Sequence, residues 1–252
     1  MRKIAICNQK GGVGKTATAV NLTAGISLAE RRVLLVDFDP QSNATSGIGI
    51  DYKQLKLSVY DCLFEPQLIK EAIIRTKYPY LSILPSTPDL VGAEIELVDK
   101  EKREQKLKNV LDVVNNEYDY CIIDCPPSLG LLTLNALVAS DGVIVPIQCE
   151  YYALEGLEKL LKTIKAVKEN LNSELRIVGI LLTMYDARLN LAKDVVEEIK
   201  KHFADVVFET IIPRSVKIAE SPSYGKSVIH YNISSTGAQA YLQLTRELLN
   251  HA

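Results

Sequence analysis

The chain has 252 residues, of which 47% are hydrophobic and 24% are charged, and this is enough apolar sequence for a full buried core. No Pro/Gly/Ser-rich linker or repeat interrupts it, so we expect one α/β domain over residues 1–252 rather than two small domains. The formal net charge of −2 gives no support by itself for nucleic acid as a partner.

The N-terminus leads directly into a predicted strand, without the basic, apolar and small-residue segments of a secretion signal. No apolar run is long enough to span a bilayer. We therefore expect a cytoplasmic protein that does not bind membranes.

The first predicted strand, at Ile4 to Cys7, leads into a glycine-rich loop and then a helical pattern over 15–29. Glycines let backbone N–H groups approach a phosphate chain at the positive end of a helix dipole. In such a loop Lys15 reaches the β- and γ-phosphates and Thr16 binds Mg²⁺. The loop is a variant, because Gln9 replaces the usual glycine and Lys10 is an additional lysine. The alternative is a turn without a ligand, but a turn requires neither the lysine nor the hydroxyl.

The rest of the chain alternates predicted strands and helices. Apolar runs with turn signals predict buried strands at 32–37, 80–84, 118–124, 143–147 and 176–183. Helical patterns lie near 58–64, 66–76, 102–115, 129–139, 152–170, 189–203 and 235–249. This order predicts a mostly parallel twisted sheet with helices on both faces, and ligands beyond the carboxyl ends of the strands.

Two of the predicted strands end in acidic residues. The second strand ends at Asp37, and Asp39 follows on the same side if the strand geometry continues. A carboxylate near the γ-phosphate can hold the Mg²⁺ shell or orient the attacking water, which makes Asp39 the catalytic candidate. Asp124 ends the strand at 118–124 and is expected to hold a Mg²⁺-bound water. A solvated acid at a strand end is the alternative for Asp39.

The five cysteines are scattered, and most lie in apolar runs where cysteine acts as a small buried hydrophobe. Cys121 and Cys125 would share one face of a strand about 13 Å apart, which is too far for a disulfide or one metal ion.

The chain resembles the deviant-Walker ATPases, specifically the ParA/Soj partition ATPases. The similar segments are 10–16, 36–47, 123–130, 145–156 and 212–225, which together extend over nearly the whole chain. The loop alone indicates only the superfamily. The Asp-Pro-Gln sequence at 39–41 and the Pro-Arg and Glu-Ser-Pro-Ser sequences between 213 and 223 narrow the resemblance to this branch.

The resemblance implies ATP and Mg²⁺ as cofactors and an ATP-dependent homodimer in which Lys10 crosses to the phosphates of the other subunit. It gives Asp39, Lys10 and Lys15 catalytic roles, Thr16 a direct bond to Mg²⁺, and Asp39 and Asp124 contacts to Mg²⁺ through water. The implied nucleotide-binding residues are Lys10, Gly11, Gly12, Val13, Gly14, Lys15, Thr16, Ala17, Asp124 and, beside the adenine, Pro213, Arg214 and Ser215.

The resemblance also implies non-specific binding of the dimer to double-stranded DNA, a nucleoid-associated location, and a ParB/Spo0J-like centromere-binding protein that stimulates slow hydrolysis. By position, Arg188 and Lys217 match the DNA-binding surface, and Lys200, Lys201 and Lys226 are further candidates. From the residues alone, a solvated helix face of mixed charge is the alternative for each lysine.

Two other functions fit the same loop. A MinD-like membrane-positioning ATPase would need a basic amphipathic C-terminal helix, whereas the leucines near the end of this chain suit a core-facing helix. An iron–sulfur relative, such as the nitrogenase iron protein, would need cysteines in exposed interface loops.

Overall fold

The computed structural model describes residues 1–150 and 153–250. In this part of the chain, strands lie at β1 (Arg2–Ile6), β2 (Val33–Asp37), β3 (Ile74–Arg75), β4 (Leu81–Leu84), β5 (Tyr120–Asp124), β6 (Gly142–Gln148) and β7 (Arg176–Thr183). They form one sheet in the order β3-β4-β2-β5-β1-β6-β7. All neighbouring strands are parallel except β3 and β4. The predicted mostly parallel sheet is therefore confirmed.

Helices cover both faces of this sheet, as predicted. They are α1 (Lys15–Leu28), α2 (Asn43–Gly47), α3 (Val59–Phe64), α4 (Ile69–Ala72), α5 (Leu90–Glu96), α6 (Lys106–Asp112), α7 (Leu131–Ala139), α8 (Ala153–Asn170), α9 (Asn190–Phe203), α10 (Val216–Glu220), α11 (Val228–Tyr231) and α12 (Thr236–Asn250). None of the helices in the described residues is both long enough and apolar enough to cross a membrane.

The two faces of the sheet contribute to two apolar cores. One core contains side chains of α3, α5, α6, α7, α8 and α9, and the other contains side chains of α1, α11 and α12. On α12, Tyr241, Leu244 and Leu248 are buried in the second core, which confirms that the C-terminal leucines face the protein interior. Because the central strands are covered on both sides, their side chains read as continuous apolar runs.

The predicted helix over 66–76 is wrong in its second half. A short 3-10 turn at Pro66–Leu68 leads into α4, and the chain then becomes extended and pairs as β3 with β4. The apolar spacing of this segment suits a helix, but two residues gain ladder hydrogen bonds only because β4 lies beside them. The short helices α2, α5, α10 and α11 were not predicted either.

The cysteines agree with the prediction. Strand β5 ends at Asp124, so Cys125 lies just beyond the strand, but Cys121 and Cys125 both pack into the same apolar core on one side of the sheet. All five cysteines are free and buried. The adjacent Cys7 thiol and burial raise the pKa of Cys125, so it behaves as a neutral core residue.

Strand register brings the candidate site together. In the central strands Ile6 of β1 and Asp37 of β2 both lie opposite Asp124 of β5. The loops that follow these three strands therefore leave the same edge of the sheet side by side. This edge carries the phosphate-loop candidate and all three acidic candidates.

Candidate nucleotide-binding site

The glycine-rich loop after β1 has the backbone of an anion cradle. Gly12 and Gly14 have φ of 74° and 87°, values that a residue with a Cβ adopts only under strain. Helix α1 begins immediately afterwards at Lys15, so its first N–H groups point into the loop. The sequence therefore provides converging backbone donors together with the positive end of a helix dipole.

Neighbouring strands fix this loop in place. The Thr183 hydroxyl at the end of β7 donates to the Val13 carbonyl at 2.9 Å. The Asn8 side chain donates to the Pro146 carbonyl at 2.7 Å and accepts from the Lys10 N–H at 3.0 Å. Val13 is thus a buried anchor whose side chain is 1% exposed, rather than a side chain that meets a ligand.

Lys15 is buried under the loop, with 6% of its surface exposed. Its ammonium donates to the Lys10 carbonyl at 3.1 Å. Burial lowers the pKa of Lys15, and the nearby Asp124 carboxylate opposes that shift. A bound anion would favour the charged lysine further, so the position suits a phosphate group.

Asp124 is fully buried, and neither of its carboxylate oxygens has a hydrogen-bond partner with good geometry among the described residues. Burial and the neighbouring Asp37 raise the pKa of Asp124, whereas the Thr16 hydroxyl and the Lys15 ammonium lower it. A buried carboxylate without a full set of donors is costly unless a cation or a cation-bound water completes its shell. Thr16 and Asp124 together fit a Mg²⁺ ion held by one hydroxyl and by water.

Asp37 and Asp39 have different surroundings although they are two residues apart. The Asp37 carboxylate accepts from the Thr45 N–H and hydroxyl, each at 2.7 Å, and from the Asp39 N–H at 3.2 Å. Burial raises the pKa of Asp37 to about 6. Asp37 therefore holds the turn after β2, while Asp39 lines the phosphate cavity and accepts from the Gln41 N–H at 2.9 Å.

The phosphate cavity has a volume of about 330 Å³. It brings together most of the predicted loop residues and Asp39; the lining residues from the prediction are Gly11, Gly12, Gly14, Lys15, Thr16, Ala17 and Asp39. Sequence reasoning missed four further lining residues, namely Gln41, Asn43, Pro127 and Met184. Gln41, Asn43 and Pro127 lie in segments of the family resemblance that could have indicated them, whereas Met184 does not.

A second cavity of 370 Å³ adjoins the first at Gly14, Ala17 and Met184 and is largely apolar. It is lined by the predicted Pro213, Arg214 and Ser215, and also by Thr183, Met184, Ile212, Ile218, Ala219, Pro222 and Tyr241. Backbone hydrogen bonds from Tyr185 to Ile212 and from Arg214 to Tyr185, at 3.1 and 2.9 Å, hold its two walls together. An apolar cavity beside the phosphate loop has the position that the base of a bound nucleotide would need.

Lys10 does not line either cavity. Its ammonium lies 2.7 Å from the Glu150 carboxylate of the same chain, and both side chains are about half exposed, at 44% and 47%. The adjacent Gln9 side chain donates to the Gly156 carbonyl at 3.3 Å. The variant residues of the loop therefore contact the region after β6, whose residues 151 and 152 lie outside the described part of the chain.

The five predicted DNA-binding residues do not line the phosphate cavity, although Lys226 lies in a cavity that adjoins it. Arg188 makes a two-pronged ion pair with Asp186 at 2.8 and 2.6 Å, and Lys217 pairs with Glu220 at 2.9 Å while lying over the Tyr231 ring. Two of the other candidates, Lys200 and Lys201, are exposed at the end of α9. Lys226 is half-buried and lines a 280 Å³ cavity with Thr16, Ala17 and Asn43.

The chain matches the family described as "AAA domain" over residues 1–177. It is 55% identical over 248 residues to the chromosome partitioning protein ParA of Myxococcus xanthus, covering 98% of this chain and 88% of that protein. It is also 55% identical over 245 residues to the sporulation initiation inhibitor protein Soj of Bacillus subtilis, covering 97% of each.

Solved structures agree with the fold. The structure of cobyrinic acid a,c-diamide synthase from Mycobacterium smegmatis with bound ADP and magnesium is similar with a TM-score of 0.88 and 38% identity, covering 100% of this chain and 95% of that one. The similarity therefore extends over the whole chain.

Proposed function

Because the chain belongs to the ParA/Soj family of chromosome partitioning proteins, we propose that it is a Mg²⁺-dependent ATPase that segregates DNA. In this proposal the ATP-bound homodimer binds double-stranded DNA without sequence preference. Slow hydrolysis, stimulated by a ParB-like centromere-binding protein, releases the homodimer from DNA. The observation that carries the proposal is the junction of a phosphate cavity and an apolar base cavity at Gly14 and Ala17.

The phosphate end supports ATP with Mg²⁺. The loop amides and Lys15 would bind the phosphates, Thr16 would bind the metal directly, and Asp124 would hold one of its waters. When bound, Mg²⁺ neutralises phosphate charge. This arrangement is supported by the Asp124 carboxylate, which lies near Thr16 and has no hydrogen-bond partner among the described residues.

Asp39 is the residue we assign to hydrolysis. Its carboxylate lines the phosphate cavity, whereas that of Asp37 is fully used by Thr45 and the Asp39 amide. Asp39 is only 6% exposed, so a water held there would be shielded from bulk solvent. Its role would be to orient that water or the metal shell.

Dimerisation would give Lys10 its function. In the single chain Lys10 does not line the phosphate cavity, and its ammonium contacts Glu150. In a sandwich of two chains, the loop with Gly11 at its tip would approach the other copy, and Lys10 would neutralise phosphates bound there. Lys15 already occupies the floor of its own site.

DNA binding would use the basic residues Arg188 and Lys217, with Lys200, Lys201 and Lys226 as weaker candidates. Since the net charge is −2, binding has to come from a local surface rather than from overall attraction. A dimer presents each basic residue twice to one duplex, so nucleotide can control affinity without any new residue. This function places the protein in the cytoplasm on the nucleoid.

The test uses Asp39→Ala protein with ATP, with ADP and without nucleotide, at two salt concentrations, with molecular mass followed in the same samples. We expect DNA binding only by the ATP dimer, with steep loss at the higher salt because each phosphate contact adds about 0.9 to the salt slope. Dimerisation without DNA binding would instead favour a MinD-like action on membranes, which liposome sedimentation would detect.

A further inference from the structure

Helix α5 has two apolar faces although only one of them is buried. Leu90, Ala93 and Leu97 face the core, as a helix at the protein surface requires. Three β-branched side chains on the other side are exposed: Val91 by 55%, Ile95 by 74% and Val98 by 49%. We refer to these three residues as the α5 stripe. Val91 and Ile95 lie in one row on α5, and Val98 follows in the turn after the helix.

A cavity of 360 Å³ adjoins the α5 stripe at Val98. The apolar part of the cavity wall includes Leu129, Leu131 and Leu134. The Leu129 side chain is 38% exposed. The α5 stripe and the leucine side of the cavity therefore meet at Val98, between α5 and the start of α7. Contiguous exposed apolar surface of this kind is typical of interaction sites.

Glu94 lies in this cavity with an unsatisfied carboxylate. Its Oε1 atom is buried and has no hydrogen-bond partner within the described residues. It sits against the backbone of Gly130, where a Cβ would collide with it. The nearby Arg103 does not serve it, because that guanidinium donates to the Val98 carbonyl at 2.6 Å and to Glu104 at 3.2 Å. A cationic group that entered the cavity from outside the chain would complement the charge of this carboxylate.

The surroundings of the α5 stripe are acidic. Residues 89–104 contain six acidic and three basic side chains, a local net charge of −3 in a chain whose total is −2. Two copies of this surface placed face to face would repel each other. A cationic partner is therefore the occupant that matches its charge.

The α5 stripe is also connected to the phosphate cavity. Leu129 and Gly130 directly follow the loop containing Pro127. Pro127 lines that cavity, and its Cβ would lie 4.0 Å from a Cβ added at Gly11. The Ser128 carbonyl accepts from the Thr133 hydroxyl at 2.6 Å, which fixes this loop to the first turn of α7. An occupant that contacts Leu129 therefore contacts one end of a loop whose other end, at Pro127, lines the phosphate cavity.

We propose that the α5 stripe and its cavity bind a cationic amphipathic helix of a partner protein. Apolar side chains of that helix cover Val91, Ile95 and Val98, and one lysine or arginine reaches Glu94. This inference rests on the proposed function, since it identifies the occupant as the segment of the ParB-like protein that stimulates hydrolysis.

The test measures ATP hydrolysis in the presence of DNA and the ParB-like protein of the same organism, with Ile95→Lys, Glu94→Gln and a control. The control is Ile233→Lys, which replaces another exposed isoleucine. Ile233 is 56% exposed and lies elsewhere on the surface. We expect Ile95→Lys to reduce the stimulated rate about tenfold or more, and Glu94→Gln to reduce it less. Basal hydrolysis and ATP-dependent DNA binding should stay at wild-type values, and Ile233→Lys should behave as wild type.

Two results would overturn the inference while leaving the proposed function in place. One is stimulation of Ile95→Lys equal to that of Ile233→Lys. The other is a nucleotide-independent dimer that Ile95→Lys dissociates, which would show that a second copy covers the α5 stripe. If the wild-type protein is not stimulated and does not bind DNA with ATP, the proposed function itself fails.

Discussion

Lys10 and Glu150, which are 140 residues apart in sequence, form an ion pair of 2.7 Å beside the phosphate loop. The proposed dimer requires Lys10 to leave this carboxylate and reach phosphates bound to the other chain. Glu150 thus competes with the dimer for the same ammonium group.

Replacing Glu150 by glutamine should therefore tighten the ATP dimer. Both side chains are about half exposed, and such ion pairs contribute about 0.2–1 kcal/mol, so we expect an increase in affinity of about fivefold at most. Sedimentation equilibrium in the Asp39→Ala background would measure it. A weaker dimer would show that Glu150 is itself needed at the interface.

Gly11→Val should bind ATP but fail to dimerise. Gly11 has no positive φ, and the one atom within 4 Å of an added Cβ is that of Pro127 at 4.0 Å, so the single chain has room for the new side chain. The sandwich would not have this room, because two loop tips meet there. Nucleotide binding by fluorescence and mass by light scattering should separate the two effects, with Gly11→Ala as the smaller control.

Asp39→Ala should lower the hydrolysis rate by about 10² or more, while ATP affinity changes little. The carboxylate lines the cavity without contacting Lys15 in any hydrogen bond that the described residues show, so the phosphate-binding groups remain in place. Single-turnover hydrolysis and equilibrium binding of a labelled ATP analogue would measure the two quantities. Normal hydrolysis by this variant would remove the role assigned to Asp39.

Glu220→Gln should raise DNA affinity modestly, by about twofold, because it releases the ammonium of Lys217. The matched variant Lys217→Ala should lower affinity and reduce the salt slope by about 0.9 for each lost phosphate contact. Fluorescence anisotropy with one duplex over a salt series would measure both. Equal affinities in all three proteins would exclude Lys217 from the DNA surface.

Asp37 should make stability depend on pH between about 4 and about 6. Its pKa is raised by burial from 3.8 to about 6, so within this range the folded state holds a proton that the unfolded state has released. The contribution of Asp37 to the free energy of unfolding therefore falls as the pH rises from about 4 to about 6. Denaturant unfolding at several pH values should show a flatter profile for Asp37→Asn than for the wild type, and identical slopes would contradict the shift.

The parallel sheet and its site edge could be predicted because each relevant signal is local. Strand β7 was predicted at its observed bounds, and the glycine spacing indicated the phosphate loop before the structure showed its positive φ angles. The different surroundings of Asp37 and Asp39 could not be predicted, because they depend on the contact of Asp37 with Thr45 in the following helix. Likewise β3 and the Lys10–Glu150 pair depend on contacts between distant segments, which hydrophobic periodicity does not record.

The end of strand β7 joins several of these features within a few residues. Thr183 holds the phosphate loop through its hydrogen bond to Val13, and Met184 lines both cavities. Tyr185 makes backbone hydrogen bonds to Ile212 and Arg214, and Arg188 follows in an ion pair with Asp186. Each contact depends on the position of the one before it, so an insertion or deletion of a single residue here would misplace all those beyond it. Sequence drift can alter the side chains of this segment, but its length is fixed by geometry.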